Sequence, residues 1–486
     1  MDSPQHLLDT QSLQLTRLGP VEWEIPKGTV PGMKTSSRLI ASEILLQKIR
    51  QDRTLRQLAN IACLPGIHGT PVAMPDAHEG YGFPIGGVAA LDYETGGISP
   101  GGIGYDINCG VRLIRTNLSA QEVRPKMKEL LDALHEAVPS GVGRGTKKKL
   151  SAQEIDEILS EGSRIPVRQE AGFPGDLEFC EEKGRMPGAE PGKVSPDAKK
   201  RGKDQLGTLG AGNHFLEIQE IQEIANQAAA KTFGISPGQI VIMVHCGSRG
   251  LGHQVCSDYL RIMEDKFHKE IAELPDRELA YAPAGTREAA DYFSAMVGAV
   301  NFAFANRQAI TSGIRRAFGQ VFRADPEKFG MSLVYDVAHN IAKIEDYGGK
   351  VYLHRKGATR AFGPGRPEVP QEYRSIGQPV LLPGSMGTAS YVLVGSAKAI
   401  EKTFGSTAHG AGRVMSRGEA LRKHRGEEIA RNLSGKGIIV KCASWKSVAE
   451  EAPDCYKDVD EVARVSDEAG IGTVVARLKP LGVLKG

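Results

Sequence analysis

The chain has 486 residues, 61 Lys and Arg against 58 Asp and Glu, and 58 glycines. That length allows about three domains or one large α/β domain. A formal charge of +3 is too near neutral to mark a nucleic-acid binder by itself, so the distribution of charge must carry that question. The seven cysteines are odd in number and form no CxxC pair, which excludes a disulfide framework and points to a reduced, cytoplasmic protein. No basic region followed by an apolar stretch opens the chain, so no secretory signal is expected. No apolar run approaches about 18 residues, so no membrane span is expected either.

In chain order, residues 37–57 read as one helix, with Leu39, Ile40, Ile44, Leu45 and Ile49 near helical spacing. From Leu64 to Arg115 short apolar runs are bounded by glycine and proline, the pattern of strands joined by glycine-rich loops. Residues 119–137 predict an amphipathic helix. Residues 141–203 are loop-like and charged, with Lys147-Lys148-Lys149 and Lys199-Lys200-Arg201; they read as an inserted lid or flap, or as a solvated surface insertion. Strands are expected at 239–244, 331–337 and 391–394, and helices at 254–274, 286–322, 417–433 and 455–469. The order lacks the regular βαβ rhythm of a doubly wound sheet. The expected fold is α/β of an α+β-like kind: a single large domain over 1–486 with a mixed, sandwich-like β core and surrounding helices.

Four histidines lie in loops of small residues: His214, His245, His339 and His409. The turn Tyr105-Asp106-Ile107-Asn108-Cys109-Gly110 adds a carboxylate and a thiol. Imidazole, thiolate and carboxylate are the donor set of a borderline transition metal. Asp106 and Cys109 are three residues apart in one turn, and a thiolate has lone pairs enough to bridge two ions, which would clamp both oxygens of a phosphoryl transfer. A single buried histidine or cysteine is more often packing than ligand. Spacing alone does not rank Asp76-Ala77-His78-Glu79 or His253 below this set.

Two further loops, Pro383-Gly384-Ser385-Met386 running on to Ser390, and His409-Gly410-Ala411-Gly412-Arg413, are rich in glycine and small residues. Such loops make anion nests or simply tight turns, and neither matches a Walker or GxGxxG pattern. His409 sits in an open loop where an imidazole can attack phosphorus. Arg249, Arg355, Lys356, Arg360, Arg366, Arg413 and Arg417 suggest a local basic face for a polyanion. Lys485, near the end, is a solvated charge unless the terminus packs against a phosphate or base.

These motifs, Gly104 to Gly110, Gly212 to Glu217, His245 to Gly250, Pro383 to Gly387 and His409 to Arg413, closely resemble the RtcB family of GTP-dependent RNA-splicing ligases, in order and from about Leu64 to Gly486. The resemblance implies two Mn2+ ions, one on Asp106, Cys109 and His214 and one on Cys109, His245 and His339. It implies a guanylylated His409. It also implies a GTP site from Asn213, His214, Phe215, Leu216, Glu217, His339, Asn340, Pro383, Gly384, Ser385, Met386, Ser390, His409, Gly410, Ala411, Gly412 and Lys485. Asp76, His78 and His253 then fall beside motifs rather than among the main ligands. The implied reaction joins an RNA 3′-phosphate or 2′,3′-cyclic phosphate to a 5′-hydroxyl through an RNA-3′-pp-5′-G intermediate. Implied partners are tRNA exon halves or broken RNA ends, GTP and, in some members, the activator archease. A metal-dependent phosphoesterase and a noncatalytic RNA-binding repair scaffold are the alternatives; the intact His409 loop argues against both.

Overall fold

The computed structural model describes residues 13–486, so the opening residues of the expected single domain, and the expectation of no secretory signal, lie outside it. Two large sheets form the core. In the first, Ser332–Ala338, Gly110–Ser119, Gln239–Cys246, Phe215–Ile224, Thr473–Lys485, Ser390–Val394 and Pro379–Leu382 lie side by side, each antiparallel to the next, and Ile439–Cys442 runs parallel to Thr473–Lys485. The second contains Thr16–Arg17, Glu22–Ile25, Ser37–Ile40, Ile67–His78, Ile85–Asp92, Lys350–Lys356 and Asn340–Asp346. Apolar residues of both sheets, including Val72, Val88, Leu353, Leu382 and Leu393, share one core cluster. The mixed α/β core with surrounding helices is therefore as expected.

The sheets meet at His339. It is the one residue between Ser332–Ala338 in the first sheet and Asn340–Asp346 in the second. A two-stranded ribbon, Ala358–Arg360 with Ser406–Ala408, carries the chain to His409 beside that junction, and the Ala358 N–H donates to the His339 carbonyl. The expected long helix is Arg287–Phe322, capped by the Thr286 side chain, which accepts from the Ala289 N–H. It is buried along much of its length because it packs against Met127–Ala137, Ala152–Glu161 and Arg249–Lys266.

Several expectations need correction. Residues 37–57 are not one helix: Ser37–Ile40 is a strand, parallel to Ile67–His78, and the helix Glu43–Ile49 begins only after the Ser42 cap. Residues 141–203 are not loop throughout, for Ala152–Glu161, Arg164–Arg168 and Pro196–Gly202 are helical, and Ile155, Ile158 and Leu159 are buried in the core beside the long helix. Residues 254–274 divide into the helices Arg249–Lys266 and His268–Ala272, residues 417–433 into Arg417–Lys423 and Gly426–Gly435, and residues 119–137 into Ala120–Val123 and Met127–Ala137 about a short 3-10 turn. Among the described residues no helix is long and apolar enough to cross a membrane.

Candidate active site

Strand register assembles the donors. Gly110 pairs with Cys246 and with Ala338, and His245 pairs with both Val111 and Phe215. Cys109, His214 and His339 each lie one residue outside these pairs, so all three meet His245 at one end of the first sheet. The last strand runs antiparallel to Phe215–Ile224 and pairs Lys485 with Phe215, which delivers the lysine to the same end.

The donor atoms converge. Cys109 Sγ lies 3.4 Å from His214 Nε2 and 3.2 Å from His245 Nε2. His214 Nε2 lies 2.7 Å from Asp106 Oδ2, and His245 Nε2 lies 3.3 Å from His339 Nε2. Two three-donor groups result, Asp106, Cys109, His214 and Cys109, His245, His339, with Cys109 common to both. A first-row ion bound at about 2.0–2.3 Å sets neighbouring donors about 3–4 Å apart, which suits these spacings. His214 Nδ1 faces the Leu209 carbonyl at 3.0 Å; donating there turns an Nε2 lone pair toward Asp106 and Cys109. Lone pairs facing one another in a buried site repel unless a cation or proton stands between them. The residues present therefore fit a metal.

Titration follows the same logic. Burial, with the Asp106 charge added, pushes the Cys109 thiol up to about 12. Burial works against charge on His214, but the Cys246 and Cys109 sulfurs and Asp106 outweigh it and hold its pKa well above the usual value. Burial, and then neighbouring histidines, depress His245 and His339 well below theirs. Burial raises Glu217 to about 7 and lowers Lys485 to about 8.

His409 lies against this cluster, its ring 4.7 Å from that of His339 between centroids. Its Nδ1 sits 2.6 Å from Oδ2 of the fully buried Asp76, which also accepts the backbone N–H groups of His409 and Gly410. The loop is thus a nest, but its anion is the protein's own carboxylate. Gly412, at φ +75°, allows this approach, since a Cβ there would lie 2.1 Å from the Asp76 carbonyl oxygen. Burial opposes ionisation of Asp76, yet His409 and Lys457 bring its pKa below the ordinary value. Sequence reasoning noticed Asp76 but set it beside the motifs; the two residues are 333 positions apart and no local pattern joins them.

A cavity of about 930 Å³ opens on these groups. It is lined by all five metal candidates and His409, and also by Asn213, Phe215, Asn340, Pro383, Gly384, Ser385, Met386, Gly410, Ala411, Gly412 and Lys485. Leu216, Glu217 and Ser390 stand behind the lining. Leu216 is core, whereas Gln219 donates to both Glu217 and Ser390 Oγ, and Ser390 Oγ accepts from the Gly384 N–H. His78 and His253 are at the cavity wall. The basic face is smaller than expected: Arg355 and Arg360 are buried in ion pairs with Glu345 and Glu182, because the strands carrying them lie inside the core. Arg249, Lys356, Arg413 and Arg417 do reach the cavity.

Fold and site together describe a mixed α/β protein with a two-group metal-donor centre and a carboxylate-held histidine. The sequence model of the family described as tRNA-splicing ligase RtcB matches residues 57–486. A tRNA-splicing ligase RtcB of Thermococcus kodakarensis is 54% identical over 98% of this chain and 100% of its own length. That of Archaeoglobus fulgidus is 51% identical over 97% and 99%. The chain belongs to the RtcB family of tRNA-splicing RNA ligases.

Proposed function

We propose that this protein joins an RNA 3′-phosphate or 2′,3′-cyclic-phosphate end to a 5′-hydroxyl end, using GTP and Mn2+, in tRNA splicing and RNA repair. The observation that carries the reading is His409, held at Nδ1 by Asp76 and set between the metal-donor cluster and the 383–386 loop. Two Mn2+ ions, one on Asp106, Cys109 and His214 and one on Cys109, His245 and His339, would neutralise charge developing on phosphate oxygens.

Asp76 takes the Nδ1 side of His409 and leaves Nε2 as nucleophile. Nε2 attacks the α-phosphorus of GTP, the N–P bond forms, and the bond to pyrophosphate breaks. The Asp76 carboxylate stabilises the positive charge that then builds on the ring. An oxygen of the RNA 3′-phosphate displaces His409 from phosphorus and gives RNA-3′-pp-5′-G. The 5′-hydroxyl attacks the RNA 3′-phosphorus, forms the phosphodiester and releases GMP. A cyclic end must first be opened by water.

The nucleotide would be held by the lining residues of 213–215, 339–340, 383–386 and 409–412 together with Leu216, Ser390 and Lys485. Glu217 would accept guanine N–H groups and disfavour adenine. The chain would act as one catalytic unit in the cytoplasm, on tRNA exon halves or broken RNA ends, with archease as activator. Of the charged insertion, Gly141, Val142 and Arg144 line the cavity edge, and these would be its flap.

The test is incubation with α-radiolabelled GTP and manganese, followed by a denaturing gel. Wild type should keep an acid-labile label, His409→Ala none, and Asp76→Asn at least tenfold less while retaining its circular dichroism. An unlabelled wild type with its metal verified, or a labelled His409→Ala, refutes the reading.

A further inference from the structure

Outside the catalytic cavity a third group of metal-type donors comes together. His424 caps the C-terminus of the helix Arg417–Lys423, while Asp454 and Cys455 belong to the short turn Pro453–Cys455. One donor atom from each lies within 4.8 Å of the other two. None of the three lines the cavity.

One feature separates this cluster from ordinary packing. His424 Nε2 is buried and makes no hydrogen bond, although Asp454 Oδ1 is only 3.3 Å away. An imidazole nitrogen and a carboxylate oxygen at this spacing, with a thiol sulfur as third donor, are in the relation of ligands on one ion. Tetrahedral Zn2+, at about 2.0 Å from nitrogen and oxygen, places such atoms about 3.3 Å apart. The buried Cys455 sulfur has the Met415 thioether at 3.7 Å as a soft neighbour. Packing accounts for the sulfur, since Cys455 belongs to a small apolar cluster with Met386, Ala420 and Leu433. It does not account for the orphaned imidazole nitrogen.

We propose that Cys455, His424 and Asp454 form a zinc site, with solvent as the fourth ligand. One sulfur, one nitrogen and one carboxylate oxygen suit a borderline ion better than Mg2+ or Ca2+. Asp454 is 66% exposed at its side chain and gives the ion an aqueous path inward. Binding releases the Cys455 proton as the S–Zn bond forms. The ion would staple the helix that starts at Arg417 to the 453–455 turn. That turn already accepts the Val414 N–H at the Cys455 carbonyl, and Arg413 bridges to Tyr456. Zinc would therefore stiffen the cavity wall formed by Arg413, Arg417 and Glu451.

Equilibrium dialysis of the full, manganese-free chain against zinc, with elemental analysis, tests this. Wild type should hold one zinc per chain more than His424→Gln or Cys455→Ser. Asp454→Asn, a change at an exposed side chain that leaves the fold intact, should weaken that zinc at least tenfold. In a Cys109→Ser background, Co2+ should give a thiolate-to-cobalt absorption that Cys455→Ser abolishes. Equal stoichiometry in all variants, or no thiolate–cobalt band in Cys109→Ser, overturns the proposal. Should Cys455→Ser not fold, His424→Gln and Asp454→Asn decide it.

Discussion

Glu217, proposed above to bind guanine, is costly to the fold. It is buried and receives one hydrogen bond, from Gln219, with Lys485 acting from further off. Burial lifts its pKa to about 7, well above the usual carboxylate range. The sign follows from proton counting. Below about pH 4 the folded and unfolded chains both hold the proton. As the pH rises toward 7 the unfolded chain loses it while the fold retains it, so stability falls; above 7 the deficit is constant. Glu217→Gln removes the titration. Relative to wild type, the ligand-free variant should gain about 2 kcal/mol between pH 5 and pH 8. Urea unfolding at the two pH values measures this, and a constant difference between the two proteins would show that Glu217 ionises as it does in water.

At the scale of elements, the site depends on loops being held where strand register leaves them. Arg307, on the long helix, does much of this. Its Nη1 donates to the carbonyls of Asn108 at 2.8 Å and Cys246 at 2.9 Å, and the same guanidinium pairs with Asp336. Asn108 and Cys246 adjoin the metal candidates Cys109 and His245. Arg307→Met takes a donor away from two buried carbonyls and leaves Asp336 with Arg112 alone. Breaking such a buried pair costs about 3–5 kcal/mol. The variant should show that loss on urea unfolding and weaker Mn2+ binding by calorimetry; a loss under about 1 kcal/mol would mean that Arg112 suffices.

The legibility of the sequence divides along the same line. The long helix at 286–322 was legible in the sequence, and loops of small residues exposed all five metal candidates. Period did not separate Ser37–Ile40 from the helix after it, because Leu39 and Ile40 suit a strand buried beside Ile67–His78 equally well. The 141–203 segment looked like loop because charge surrounds its apolar anchors, among them Ile155, Ile158, Leu159, Met186 and Val194. Arg307 and Asp76 were unreadable as supports, for their partners come from distant segments.

Over the whole molecule, a charge of +3 gives no long-range pull on a polyanion, so any RNA affinity must come from the cavity rim. There Arg144, Arg249, Arg413, Arg417 and Lys446 face one opening, while Arg355 and Arg360 are occupied inside the core. Arg413 and Arg417 both contact Glu451, which removes part of their charge from the outside. Arg144 is exposed and stands on the segment proposed as a flap. Each phosphate neutralised on single-stranded RNA contributes about −0.7 to the slope of log K against log salt. Arg144→Ala should therefore lower that slope by about 0.7 in magnitude and weaken binding by a similar factor for RNAs of different sequence. Because Arg144 touches none of the metal candidates, His409 labelling by GTP without RNA should stay at the wild-type level. Fluorescence anisotropy of labelled single strands over a salt series reads the slope. If the slope is unchanged, RNA does not pass over the 141–144 edge, and the 141–203 segment is surface structure without a flap's function.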